Sequence, residues 1–130
     1  DVTDLALGDS TITWSAERFD QSDDFDLTNN RFVAPVTGKY FLQIQARFQE
    51  LDISAAYYYF SIVTSNKSYS FLLEPNFSAD LNYFTIGFSV LADMDASDTA
   101  HIIFSQNAGA AQTDMDGNSE YTWFSGHLVC

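Results

Sequence analysis

The chain has 130 residues, 46% hydrophobic and 16% aromatic, which excludes a disordered segment and suits one domain with a core between two layers. Eighteen acids against five lysines and arginines leave a formal net charge of −13, so a nucleic-acid backbone or an anionic bilayer would be repelled. No apolar run is long enough for a membrane-spanning helix, and one cysteine, Cys130, excludes an internal disulfide.

Residues 1–10 read as a polar lead-in or linker with Leu5 and Leu7 as anchors, and the absence of a Met or signal-peptide pattern leads us to expect more chain upstream. Residues 11–19 alternate loosely, with Ile12, Trp14 and Ala16 on one side, and predict a strand. Residues 20–30 are acidic and turn-rich, with Phe25 and Leu27 as inward pins. A short strand near 31–34 leads into Pro35, which biases Ala34 toward extended backbone. Gly38 is expected to take a positive φ in the following turn. The run 39–49 then sets Tyr40, Leu42, Ile44, Ala46 and Phe48 on one parity and mostly polar residues on the other, with Phe41 the exception. That period of two is a half-buried strand.

After a turn at 50–52, residues 54–64 and 68–73 predict a hairpin closed by Ser65, Asn66 and Lys67, with Tyr58, Phe60 and Ile62 inward. Residues 81–92 alternate most clearly, with Phe84, Ile86, Phe88 and Val90 opposite Tyr83, Thr85, Gly87 and Ser89. An acidic turn at 93–97 precedes a strand over 99–106, with Ala100, Ile102 and Phe104 on one face. Residues 107–118 read as the longest loop, and 119–129 as a closing strand with Phe124 and Leu128 inward. The pattern predicts an all-β sandwich of Greek-key or jelly-roll type, with no internal repeat and no helix.

Four stretches resemble the globular head domain of the complement C1q and tumour-necrosis-factor superfamily. They are FDLTNNRF at 25–32, FVAPVTGKYFLQIQ at 32–45, FSIVTSNKSY at 60–69 and WFSGHLV at 123–129. The similarity runs over about residues 11–129, making 11–130 the C1q-like domain. The resemblance implies a jelly roll of about ten strands, a three-fold homotrimer, and a non-enzymatic recognition or structural role. It implies a head at the end of a longer, fibrous protein, extracellular or on a virion surface. Phe25, Phe32, Gly38, Tyr40, Phe124 and Gly126 match the family's structural positions. Two departures stand out: no collagen-like stem is present, and the end at Val129 and Cys130 is abrupt. Similar domains occur in bacterial and bacteriophage structural proteins, and the acidity with scarce lysine suits a marine or viral source.

The residues supply their own motive for assembly. Phe41, Tyr57, Tyr59, Tyr83, Tyr121 and Trp123 fall on the outward parity, where a lone subunit would expose them. A subunit interface would bury them; a ligand groove is the other use. A carbohydrate-binding module stacking sugars on Tyr57, Tyr59 or Trp123 is therefore the alternative reading.

Catalytic patterns are thin. His101 and His127 have no partners at zinc-ligand spacing, no nucleophile elbow is present, and the four glutamates are scattered, so a jelly-roll hydrolase is a minor third reading. No cofactor is required by the sequence. Calcium is a candidate ligand for the acid-rich loops, with Asp93, Asp95, Asp114 and Asp116 as possible donors; in the resemblance such an ion sits between subunits near the top of a trimer. TDMDGN lacks the flanking helices and the closing Glu of a helix-loop-helix calcium loop. Asn66-Lys-Ser68 and Asn76-Phe-Ser78 fit the glycosylation acceptor pattern.

Overall fold

Alternation along residues 38–51 becomes a 14-residue strand at the centre of one sheet. The computed structural model describes residues 1–15 and 24–130. Its strands are β1 (Gly8–Thr11), β2 (Phe25–Asp26), β3 (Arg31–Val33), β4 (Gly38–Leu51), β5 (Tyr57–Thr64), β6 (Ser68–Leu73), β7 (Leu81–Met94), β8 (Thr99–Asn107), β9 (Asp114–Met115) and β10 (Trp123–Leu128). A six-stranded sheet runs β2-β3-β8-β5-β6, with β1 also paired to β8. A four-stranded sheet runs β10-β4-β7, with β9 also paired to β4. All the pairings are antiparallel.

The inward parity of each long strand fills the space between the sheets. Tyr40, Leu42, Ile44, Ala46 and Phe48 of β4 meet Tyr58, Phe60 and Ile62 of β5 and Ala100, Ile102 and Phe104 of β8, all buried. Phe48 stacks on Phe104 at 4.6 Å and meets Phe60 edge-on at 5.6 Å; Tyr58 stacks on Phe104 at 5.4 Å. Burying each of these side chains contributes on the order of 1.5–3 kcal/mol. The Tyr58 hydroxyl donates to the Asp52 carbonyl at 2.6 Å, so the ring is buried without an orphaned polar tip.

Several expectations are corrected. Strand β4 does not stop at Gln49: Glu50 takes φ 53, which shifts the parity so that Leu51 returns to the core. Gly38 has no positive φ. A Cβ there would lie 2.6 Å from Leu128 Cδ1 and 2.8 Å from the Cys130 carbonyl oxygen, so the close approach of the last residues explains this glycine. Leu128 keeps the inward parity, opposite Tyr40, but is exposed because it ends β10, the edge strand of its sheet. Leu7 and Leu27 are exposed too, while Leu5 is buried and its N–H donates to the Thr113 carbonyl.

The first strand begins at Gly8, and Ile12 continues its bonding to Ile102. The part of the expected 11–19 strand at Ala16 and beyond, and residues 20–23 of the acidic 20–30 stretch, lie outside the described residues. The expected 107–118 loop contains β9, paired to Phe48 and Gln49, and Thr113, Met115 and Asp116 within it are buried. The closing strand starts at Trp123, after a turn over 119–121.

Candidate functional surfaces

The register divides the outward aromatics between two opposite faces. On the four-stranded sheet Phe41 sits opposite Leu91 and His127, Gln45 opposite Gly87 and Trp123, and Gln49 opposite Tyr83. Phe41 and His127 rings lie 5.5 Å apart. Tyr83 is 63% and Leu91 56% exposed; Phe41, Tyr121 and Trp123 are half-buried. Tyr57 and Tyr59 lie on the outer face of the other sheet, their rings 5.2 Å apart and meeting edge to face at 66°. Trp123 therefore cannot share a stacking platform with Tyr57 and Tyr59, because the thickness of the sandwich separates them.

Arg47 organises one end of the first face. Its guanidinium lies 3.5 Å from the Tyr121 ring centroid and 4.9 Å from that of Tyr83, a cation held between two aromatic rings. It also pairs with Asp116, Nε donating to Oδ2 at 2.8 Å, and Gln49 donates to the same oxygen at 3.2 Å. The Asn118 N–H donates to Asp116 Oδ1 at 2.8 Å. Burial alone would raise the Asp116 pKa; the Asn118 N–H and Arg47 outweigh it and hold the carboxyl below its ordinary range.

A third surface was not read from the sequence. Strands β6 and β7 end their sheets on the same side of the sandwich, where Phe71 stacks over Phe88 at 6.4 Å across the gap. Phe77 lies against Phe84 at 5.7 Å along the same edge. Phe71 is 41% and Phe77 39% exposed. Phe71 has inward parity on its strand and sits opposite Phe60, so alternation counts it as core. It is exposed because the sheet ends there. Only knowing that β6 and β7 are the last strands could have identified it.

The four candidate calcium donors do not meet within one subunit. Asp93 sits opposite Lys39 near the start of β4, and Asp114 opposite Gln49 near its end. Ten residues of strand separate those levels by about 33 Å. Asp93 accepts from Lys39 Nζ at 2.8 Å. Thr37 Oγ1 lies 3.5 Å from Asp95, beside a cleft of about 430 Å³ that Lys39, Asn66 and Cys130 also line. Asp114 accepts the Asp4 N–H at 2.6 Å, and Asp116 is taken up by Arg47. Among the described residues no three of His, Cys, Asp or Glu gather in a way that could hold a metal.

Sequence reasoning also missed Asp52, 3% exposed at the end of β4. One oxygen accepts Ser54 N–H and Oγ, and the other accepts the Ala110 N–H at 2.5 Å. Gly109, at φ 81, brings the backbone close enough that a Cβ would collide with that carboxylate. Burial opposes ionisation, but the Ser54 and Ala110 donors prevail and the pKa is lowered. The role is structural: Asp52 pins the loop that follows β8 to the turn that precedes β5.

No protein-family model and no curated protein matches the chain. Among solved structures, the globular domain of zebrafish complement 1qA protein matches with a TM-score of 0.67 at 18% identity, covering 100% of this chain and 92% of that one. The described residues thus form an all-β jelly-roll sandwich of about ten strands, the fold of C1q-type globular domains. Among the described residues no helix is long and apolar enough to cross a membrane.

Proposed function

We propose that this chain is a non-enzymatic recognition or structural head domain that works as a three-fold ring of identical copies. The observation that carries the reading is the pair of unlike apolar surfaces. One is the face bearing Phe41, Tyr83, Leu91 and Trp123; the other is the edge bearing Phe71, Phe77, Phe84 and Phe88.

A long unpaired edge such as the 14 residues of β7 invites contact with another chain. Edge against face is a contact between two different patches, and contacts of that kind close into a ring when the rotation between copies is a whole fraction of a turn. The face suits it chemically: between Phe41 and Arg47 its outward positions on β4 are glutamines, and charge is depleted at the centre of interfaces. The three-fold order comes from the C1q-like resemblance. The same resemblance supports reading the ring as the head of a longer fibrous protein, outside the cell or on a virion, with a protein or glycan as its ligand. Sedimentation analysis tests the assembly. We expect a trimer at micromolar concentration, and a stable monomer there would remove the reading.

A further inference from the structure

The outer face of the six-stranded sheet has a composition of its own. The chain carries 18 acids and five lysines and arginines, yet the outward positions of β5, β6 and β8 hold none of them. Tyrosine, serine, threonine, asparagine, a few aliphatics and one histidine, His101, occupy these positions instead. That mixture resembles an antibody combining surface, in which rigid rings supply area and small hydroxyls supply adaptable hydrogen bonds.

Tyr59 lies at the centre of one row. Leu72 is its partner on β6 and Ser105 on β8, and Asp9 of β1 is opposite Ser105. Three strand spacings make the row about 14 Å long. Tyr57 stands beside Tyr59 on the same face. Tyr59 is 39% and Leu72 48% exposed, so apolar surface and hydroxyls are offered together. The edge and the opposite face carry the proposed ring contacts, which leaves this face directed away from the neighbours.

We propose that this face binds a neutral oligosaccharide, with a sugar ring stacked on Tyr59 or Tyr57. Serine and tyrosine hydroxyls exchange hydrogen bonds with the sugar, and Asp9 at the end of the row accepts from its hydroxyls. A saccharide matches such a surface because it pairs an apolar C–H face with a rim of uncharged hydroxyls, as the tyrosines pair a ring with an O–H. The choice of a neutral ligand follows from charge. Around the tyrosines, β5 and β6 offer no cation to pair an anion, Arg31 on β3 is already paired with Asp26, and the net charge of −13 repels an anion. This inference rests on the recognition part of the proposed function but does not need the ring.

Calorimetric titration of the whole chain with mannotriose, laminaritriose, triacetylchitotriose and lactose tests it, with sialyllactose as the anionic arm. We expect saturable binding of at least one neutral sugar with a Kd of about 1 mM or tighter. Binding should fall at least tenfold in Tyr59→Ser or Tyr57→Ser and hold in Tyr83→Ser, with circular dichroism unchanged. No neutral sugar binding, binding of sialyllactose alone, or binding that survives both Tyr59→Ser and Tyr57→Ser would overturn the proposal. So would a Tyr59→Ser variant that loses its assembly, since the face would then belong to a second copy. Sedimentation of the same samples separates the two readings. A monomer that binds sugar through Tyr59 removes the ring and keeps this site; a ring that binds no sugar does the reverse.

Discussion

Arg47 on β4 and Asp116, 69 residues further along the chain, form an ion pair whose cation is also enclosed by Tyr83 and Tyr121. The carboxylate is 7% exposed and the guanidinium 22%. Removing one partner strands the other in a poorly hydrated place, so Asp116→Ala should cost about 2–4 kcal/mol in chemical unfolding. Arg47→Met, which keeps the apolar stem, should cost less than Arg47→Ala. The pH dependence has a definite sign. The folded pKa of Asp116 is depressed, so its contribution is fully present above the unfolded carboxylate pKa and is lost as pH falls through the folded one. The gap in stability between the wild-type chain and Asp116→Asn should be constant near neutrality and shrink in acid. A gap that widens in acid would contradict the assignment.

Gly126 on β10 lies where a Cβ would approach Leu42 Cδ2 at 2.8 Å and the Phe32 ring at 3.4 Å. Both neighbours are core residues, so Gly126→Val should destabilise by about 1–3 kcal/mol through overpacking. Gly38→Val should be comparably costly for a different reason, because the obstacle includes the Cys130 carbonyl as well as Leu128. Deleting Val129 and Cys130 should relieve much of the Gly38→Val penalty and none of the Gly126→Val penalty. Thermal unfolding of the four variants reads this directly.

Leu91→Glu spoils the proposed face and Phe71→Glu the proposed edge, so each alone should give monomers. A mixture of the two is more informative. One variant still has a sound edge and the other a sound face, which permits one contact per pair but no closure. Sedimentation of the mixture should show a one-to-one dimer. A contact between like surfaces would give no such recovery.

Calcium should leave the melting temperature unchanged, and chelation likewise. Asp116 is committed to Arg47, Asp93 to Lys39 and Asp114 to the Asp4 N–H. A calcium-dependent rise of several degrees that is abolished in Asp95→Asn would instead place an ion at the loop between β7 and β8. A rise abolished in Asp114→Asn would place it at β9.

The inward sets of β4, β5, β7 and β8 were legible because each alternates over eight or more residues with one side apolar. The short pieces were not. Strand β9 has two residues and is held by Phe48 and Gln49 from far along the chain. Asp116 reads from sequence as a possible calcium donor, because nothing near it announces Arg47. Gly38 was correctly singled out but for the wrong cause, since a turn glycine and a crowded glycine look alike in sequence.

By itself the order of residues determined the layered β architecture, the identity of the core and the surplus of outward aromatics, because those depend on a period of two along single strands. Which outward residues share a face, which apolar residues are left uncovered at the rim, and which acids are neutralised were decided only when strands distant in sequence became neighbours. Pairing across the sheet follows the packing of the whole core, which no local window of sequence contains.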